Sequence, residues 1–167
     1  MKLDEIKLKL PAKEKGIEKF YCNCENRKKF IQSDKENYKQ HFEKAKHDLY
    51  RAEKEAEDKC WDWTIIKAYY AVHHAANSIL LKKKGFFCKD HSCLIIALKY
   101  HNLIEKELFD ELSKLHEKFA DVLSLDLAFQ LRKIGQYSVS EWQNLSEADA
   151  SLILSIAKKF LSFVENA

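Results

Sequence analysis

Glycine and proline are almost absent from this chain, which has three Gly and one Pro in 167 residues. Sandwiches, barrels and other hairpin-rich folds need such turn residues about every ten positions, so this composition argues against them. It favours long helices joined by short connections. With 46% apolar residues, the chain has enough hydrophobic side chains to bury a sizeable core.

Apolar residues are spread along the chain rather than gathered in one long run. The longest clear run, Leu94 to Leu98, has five residues, whereas a membrane-spanning helix needs about 20. The first ten residues alternate charged side chains with Leu and Ile, which is not the pattern of a secretory signal. We therefore expect a cytoplasmic domain that has no membrane contact.

Five cysteines in a chain without an export signal are predicted to be reduced thiols. They include two close groups, Cys22 with Cys24 and Cys88 with Cys93, and His91 lies within the second group. Their spacing differs from that of zinc knuckles, in which two residues separate the paired cysteines. We therefore predict no zinc site, and the sequence indicates no cofactor.

The net charge of +3 is too small for a strongly basic nucleic-acid binder, so any contact with RNA or DNA must be local. The chain has only three arginines, Arg27, Arg51 and Arg132. The guanidinium group can bind a phosphate through two parallel hydrogen bonds, so these three arginines are the first candidates for a phosphate contact.

Capping signals and hydrophobic periodicity predict the helices. Residues 1–33 show no sustained period, and Ser33 with Glu36 then forms a capping-box pattern. The predicted helices follow in this order: 34–58, 63–84 closed by Gly85, one opened by His91 or Ser92 and running to about Leu103, 105–123, 126–137, and one capped by Ser146 and Asp149. We predict an all-α, antiparallel up-and-down bundle of four to five helices over residues 34–167, preceded by an irregular or partly helical extension over residues 1–33.

Polar side chains of the predicted helix over residues 63–84 have structural explanations. His73 and His74 are adjacent, so one of them must face inward, where a hydrogen-bonded core histidine is expected. The run Lys82 to Lys84 could contact RNA, but a solvated helix C-terminus explains it as well, and we favour that interpretation.

Several motifs resemble the HEPN domain family. They are Ala68-Tyr69-Tyr70-Ala71, then Ala75, Ala76, Leu80, Leu81 and Gly85, then His91, and near the C-terminus Leu131-Arg132-Lys133-Ile134-Gly135-Gln136-Tyr137. The resemblance covers roughly residues 38–164. It implies a helical bundle that usually dimerises, and in catalytic members it implies a metal-independent RNase.

The resemblance implies a site at Arg132. Catalytic members carry an Arg followed four to six residues later by a His, which together stabilise the phosphate charge and exchange a proton. In this chain Tyr137 stands at the His position, and a tyrosine with a pKa near ~10 is a poor base at pH 7. We therefore predict Arg132 as the catalytic or binding candidate, with Gln136 and Tyr137 as further binding candidates and with RNA cleavage weak at most.

Two functions remain open from the sequence. The first is a module that binds nucleic acid or nucleotide, as the toxin-like half of a pair with a small nucleotidyltransferase protein. The alternative is a catalytically silent dimeric module that binds proteins. In both cases a homodimer is expected, because Phe129, Arg132 and Gln136 share a helix face whose composition is typical of an interface.

Overall fold

The computed structural model describes residues 9–123 and 145–167, with side chains described for residues 9–119 and 145–167. Within these ranges the chain forms a helical bundle, as predicted, together with one small two-stranded sheet that was not predicted. The elements are α1 (Glu14–Asn26), β1 (Phe30–Gln32), a 3-10 turn (Lys35–Asn37), α2 (Tyr38–Glu57), α3 (Trp61–Lys84), β2 (Phe86–Cys88), α4 (His91–Tyr100), α5 (Lys106–Leu123) and α6 (Glu147–Glu165). The predicted helix over residues 126–137 lies outside the described residues.

Helix α3 lies at the centre of the bundle because its apolar residues occupy more than one face. Most of its residues from Ile65 to Leu81 are buried. Helix α2 packs antiparallel to it, so that Ser78 Oγ near the end of α3 donates to the Tyr38 carbonyl at the start of α2 at 3.0 Å. Within residues 9–123 and 145–167, no helix combines the length and the apolar character needed to cross a membrane.

Helix α6 runs in the same direction as α3, and α5 runs against both. The end of α3 meets the end of the chain, where Lys83 Nζ donates to the Ala167 carbonyl at 3.0 Å. The start of α6 meets the end of α5, where Lys118 Nζ lies 2.6 Å from a carboxylate oxygen of Asp149. The expected antiparallel packing of neighbouring helices is therefore present between α2 and α3 and between α5 and α6.

Several helix ends follow from their local sequence. Gly85 ends α3 in the left-handed conformation (φ 82°), which a residue without Cβ adopts at low cost. The predicted capping box of Ser146 with Asp149 is present. Two predicted caps are displaced by one residue, because an aspartate precedes each turn: Asp34 in place of Ser33 accepts from the Glu36 N–H and caps the 3-10 turn, and Asp90 rather than His91 caps α4. The helix predicted over residues 34–58 is thus a 3-10 turn followed by α2, which begins at Tyr38 without a side-chain cap.

The N-terminal extension is more ordered than its sequence suggests. It contains α1, which packs on α4, and β1, which pairs antiparallel with β2 in the register Phe30 with Cys88 and Gln32 with Phe86. The Phe86–Phe87 segment, predicted as a loop, is therefore a strand, because the extension supplies its partner. The Tyr21 ring of α1 stacks on Tyr100 of α4 with centroids 3.9 Å apart.

The prediction that all cysteines are reduced is wrong for one pair. Cys24 of α1 and Cys93 of α4 form a disulfide, although 69 positions separate them. The packing of α1 on α4 brings their Cα atoms to 5.8 Å, well inside the range a disulfide requires. Cys22, Cys60 and Cys88 are free thiols.

Candidate functional site

The predicted site residues Arg132, Gln136 and Tyr137 lie outside the described residues, so their placement stays a prediction. The chain on either side of them is described. Helix α5 ends at Leu123 and α6 begins at Glu147, and the Lys118–Asp149 ion pair joins these two helices near that point. Two hydrogen bonds fix the first turn of α6: the Ser146 N–H donates to the Asp149 carboxylate, and the Asp149 N–H donates to Ser146 Oγ.

The described ends of this connection lie at the end of the bundle where α3 begins. This follows because α6 runs parallel to α3 and α5 runs against it. Trp63, in the first turn of α3, is 52% exposed. The run Lys82 to Lys84 lies at the opposite end of α3, whose 24 residues span about 36 Å. The lysine run is therefore remote from the two described ends of the segment that carries Arg132.

A chain of three buried polar side chains links α3, α5 and α4. The Tyr69 hydroxyl lies 3.0 Å from His116 Nδ1, and His116 Nε2 lies 3.0 Å from Ser92 Oγ. Burial raises the pKa of Tyr69 and lowers the pKa of His116, so both are neutral at pH 7. Because a phenol is the stronger acid, Tyr69 donates to Nδ1, and His116 then donates through Nε2 to the serine oxygen.

The amide of Asn77 sets the protonation of a second histidine. Asn77 Oδ1 accepts from the Cys88 N–H at 2.8 Å and Nδ2 donates to the Cys88 carbonyl at 2.9 Å, which fixes the orientation of the amide. The remaining N–H of Asn77 faces His73 Nε2 at 3.2 Å. A ring nitrogen that accepts carries no proton, so His73 is neutral with its hydrogen on Nδ1.

His73 is thus the inward-facing member of the His73–His74 pair. Burial, together with the neighbouring His91, His74 and His41, holds the pKa of His73 well below its ordinary value of 6.5. Among the described residues, its Nδ1 has no hydrogen-bond partner. His74 lies nearer the surface, with Nε2 4.0 Å from the buried carboxylate of Asp48.

A small cavity lies between these rings. The His73 ring stacks on His91 with centroids 4.3 Å apart, and His91 stacks on Tyr69 at 4.9 Å. The cavity beside them has a volume of about 20 Å³ and is otherwise lined by aliphatic side chains such as Leu112 and Leu115. This volume is enough for about one water molecule.

The chemistry of this cluster is that of a neutral, hydrogen-bonded core. Uncharged imidazoles offer no cation to a phosphate, and both ring nitrogens of His116 are engaged within the protein. We therefore assign Tyr69, Ser92 and His116 to the positioning of α3, α4 and α5, rather than to the binding of an anionic ligand.

Sequence reasoning missed His116 and Ser92 as members of this cluster. A signal for His116 exists, because it follows Leu112 by four positions and therefore shares the apolar face of α5. No local pattern marks Ser92, whose partner is 24 positions away.

The sequence matches the HEPN domain family over residues 38–167. Neither a curated protein nor a solved structure matches the chain. The matched region comprises α2 to α6, whereas α1 and β1 precede it.

Proposed function

Because this chain belongs to the HEPN domain family, we propose that it is a module that binds RNA or a nucleotide and that Arg132 holds the phosphate. The family membership carries this proposal. One of the two other arginines supports it, because Arg51 already has a carboxylate partner within the protein. Arg51 faces Glu55 across one turn of α2 at 3.4 Å, and Arg27 lies against the sulfur atoms of the disulfide.

We propose further that cleavage of RNA is weak at most and, if present, independent of metal. Tyr137 stands where catalytic members carry a histidine, and a tyrosine exchanges protons poorly at neutral pH. The core histidines His73 and His116 are already engaged by Asn77, Tyr69 and Ser92. They do not supply the missing base in this arrangement.

The partners in this proposal follow from the family. HEPN domains commonly dimerise, and we propose a homodimer whose contact includes Phe129 and Arg132. Two Arg132 side chains at a twofold axis would repel each other, and a bound phosphate would relieve this repulsion. A small nucleotidyltransferase protein is the proposed second partner, with this chain as the toxin-like half of the pair.

The experiment compares two arginine variants in RNA binding. Fluorescence anisotropy with a labelled mixed-sequence RNA should show binding that Arg132→Ala weakens by about tenfold, which is the scale of one lost arginine contact. Arg51→Ala is the matched control, since it removes the same charge from an exposed helix face. The proposal fails if the two variants weaken binding equally, because only net charge would then matter.

The same protein tests cleavage. Incubation with an RNA pool, with and without EDTA, should leave most of the RNA intact. Robust cleavage that resists EDTA and disappears in Arg132→Ala would show that the motif is catalytic despite Tyr137.

One observation favours the alternative, a catalytically silent dimeric module that binds proteins. Trp63 is about half exposed in the first turn of α3, and exposed tryptophan is enriched at protein interfaces. Light scattering over a concentration series separates the functions. A dimer that Trp63→Glu dissociates, in a protein without measurable RNA binding, would support the alternative.

A further inference from the structure

The disulfide joins a part of the chain that precedes the family match to a part that lies within it. Cys24 lies in α1, before the region that matches the HEPN family, and Cys93 lies in α4, within that region. The bond therefore fastens the extension to the domain. The charges around the two sulfur atoms differ, so that one of them is better able to carry a negative charge than the other. Such a difference is expected of a reactive pair and is not needed in a purely structural disulfide.

Cys93 has the surroundings that stabilise a thiolate. It is the third residue of α4, in the first turn, where the helix dipole favours negative charge. The guanidinium of Arg27 reaches its sulfur, with Nη2 3.5 Å from Cys93 Sγ. Among the described residues, Arg27 has no carboxylate within ion-pair distance, so its charge is not neutralised by a neighbour.

One acidic group opposes this effect. The Asp90 carboxylate caps the same turn by accepting from the Cys93 N–H at 3.0 Å. Its charge is balanced by Lys29, whose Nζ lies 3.4 Å from the other carboxylate oxygen. The sum over Arg27, Lys29 and Asp90 is one positive charge beside the sulfur.

Cys24 has the opposite setting. It is close to the C-terminal end of α1, which ends at Asn26, and a helix C-terminus disfavours an anion. Arg27 Nη2 is also farther from it, at 3.9 Å from Cys24 Sγ. In a reduced pair, Cys93 would therefore carry the thiolate and Cys24 would stay protonated.

A cleft lies beside the residues that flank this pair. It has a volume of about 360 Å³ and is lined by residues next to both cysteines, among them Asn23, Ser92 and Arg27. The two sulfur atoms are themselves buried, as expected of the closed disulfide. The wall of the cleft thus includes Ser92, which directly precedes Cys93, and Asn23, which directly precedes Cys24.

We propose that Cys93 and Cys24 form a redox-active pair, in which Cys93 is the nucleophile that reacts with a hydroperoxide and Cys24 is the resolving thiol. The Cys93 thiolate attacks one peroxide oxygen, the O–O bond breaks, and the alcohol or water leaves with a proton while Cys93 becomes a sulfenic acid. The Cys24 thiol then attacks Cys93 Sγ, and water leaves as the disulfide forms. In sum, two thiols and one hydroperoxide give a disulfide, an alcohol and water, and the new bond fixes α1 on α4.

The test traps the intermediate. In the Cys24→Ser variant, reduced and then exposed to hydrogen peroxide, the sulfenic acid at Cys93 cannot be resolved, and dimedone labels it. Mass spectrometry compares this labelling with that of Cys22, an exposed thiol two positions before the mutated residue. We expect Cys93 to be labelled about tenfold faster, because Arg27 and the N-terminus of α4 stabilise its thiolate. Exposure alone predicts the reverse order.

The Arg27→Gln substitution isolates the cause in the protein that keeps both cysteines. Closure of the Cys24–Cys93 disulfide by limiting peroxide should slow by about tenfold, while alkylation of Cys22 keeps its rate. If Cys93 is labelled no faster than Cys22, or if Arg27→Gln leaves the closure rate unchanged, the disulfide is a structural staple and the proposal is wrong.

Discussion

The Asn77→Leu substitution tests whether one side chain holds β2 on the bundle. In an antiparallel pair, the N–H and C=O of a residue point to the same side of the strand. Both groups of Cys88 bind the Asn77 amide, so they point away from β1, and the amide occupies the edge of β2 that a third strand would otherwise cover. Leucine has a similar size but offers neither a donor nor an acceptor.

The expected loss can be worked out from these contacts. Asn77 and Cys88 are both buried, so the substitution leaves one N–H and one C=O of Cys88 without a partner. Each unsatisfied group costs about 1–3 kcal/mol, and the apolar leucine recovers part of this sum, which gives a net loss of about 3 kcal/mol. For a chain of this length the melting temperature should fall by about 9 °C. Urea unfolding followed by circular dichroism measures the free energy directly.

His73→Phe is the control for the same amide. It keeps an aromatic ring next to His91 but removes the acceptor of the remaining Asn77 N–H, and it leaves both contacts with Cys88 intact. We expect a loss of about 1 kcal/mol. If Asn77→Leu is no more destabilising than His73→Phe, the Cys88 backbone does not depend on Asn77 and our explanation of the β2 edge is wrong.

Two further predictions concern the disulfide and pH. Reduction of the bond between Cys24 and Cys93, or Cys24→Ser, should lower the free energy of unfolding by about 4 kcal/mol, because the bond closes a loop of 69 residues in the unfolded chain. Cys60→Ser is the matched control. If both substitutions lower the free energy of unfolding equally, this prediction is wrong. Stability should also fall as pH drops below about 6.5. Burial lowers the pKa of five histidines in the folded state, so the unfolded chain binds protons first. These histidines are His41, His73, His74, His101 and His116. Each such proton contributes at most about 1.4 kcal/mol per pH unit, and unfolding curves at pH 5 to 7.5 that show no loss towards acid would refute this prediction.

The helices could be predicted from sequence because their signals are local. The stripe of α5 and the capping box of Ser146 depend on residues three or four positions apart, and both predictions agree with the structure. The predicted caps Ser33 and His91 each miss the observed cap by one residue. In both cases an adjacent aspartate, Asp34 or Asp90, competes for the same cap and accepts hydrogen bonds more strongly.

The remaining features depend on pairs that are distant in sequence. The strand pairing of β1 with β2 and the disulfide become evident only once α1 is placed on α4, and the sequence gives no periodic signal for that contact. The neutral cluster of Tyr69, Ser92 and His116 likewise draws on three helices. Hydrophobic periodicity shows that a side chain faces inward, but it does not identify which polar group it meets there.

The protonation of the core also limits where a phosphate can bind. His73 and His116 are held neutral by hydrogen bonds and burial, so at pH 7 they add no positive charge to the domain. A phosphate must then be bound by arginine or lysine, and Arg51 is already paired with Glu55. RNA affinity should therefore depend on Arg132 and on salt, and it should be nearly constant between pH 7 and 8, since burial holds the pKa of His73 and His116 below their ordinary value. A marked gain in affinity as pH falls from 8 to 7 would mean that a histidine contacts the phosphate, which would contradict the assignment of these rings to the core.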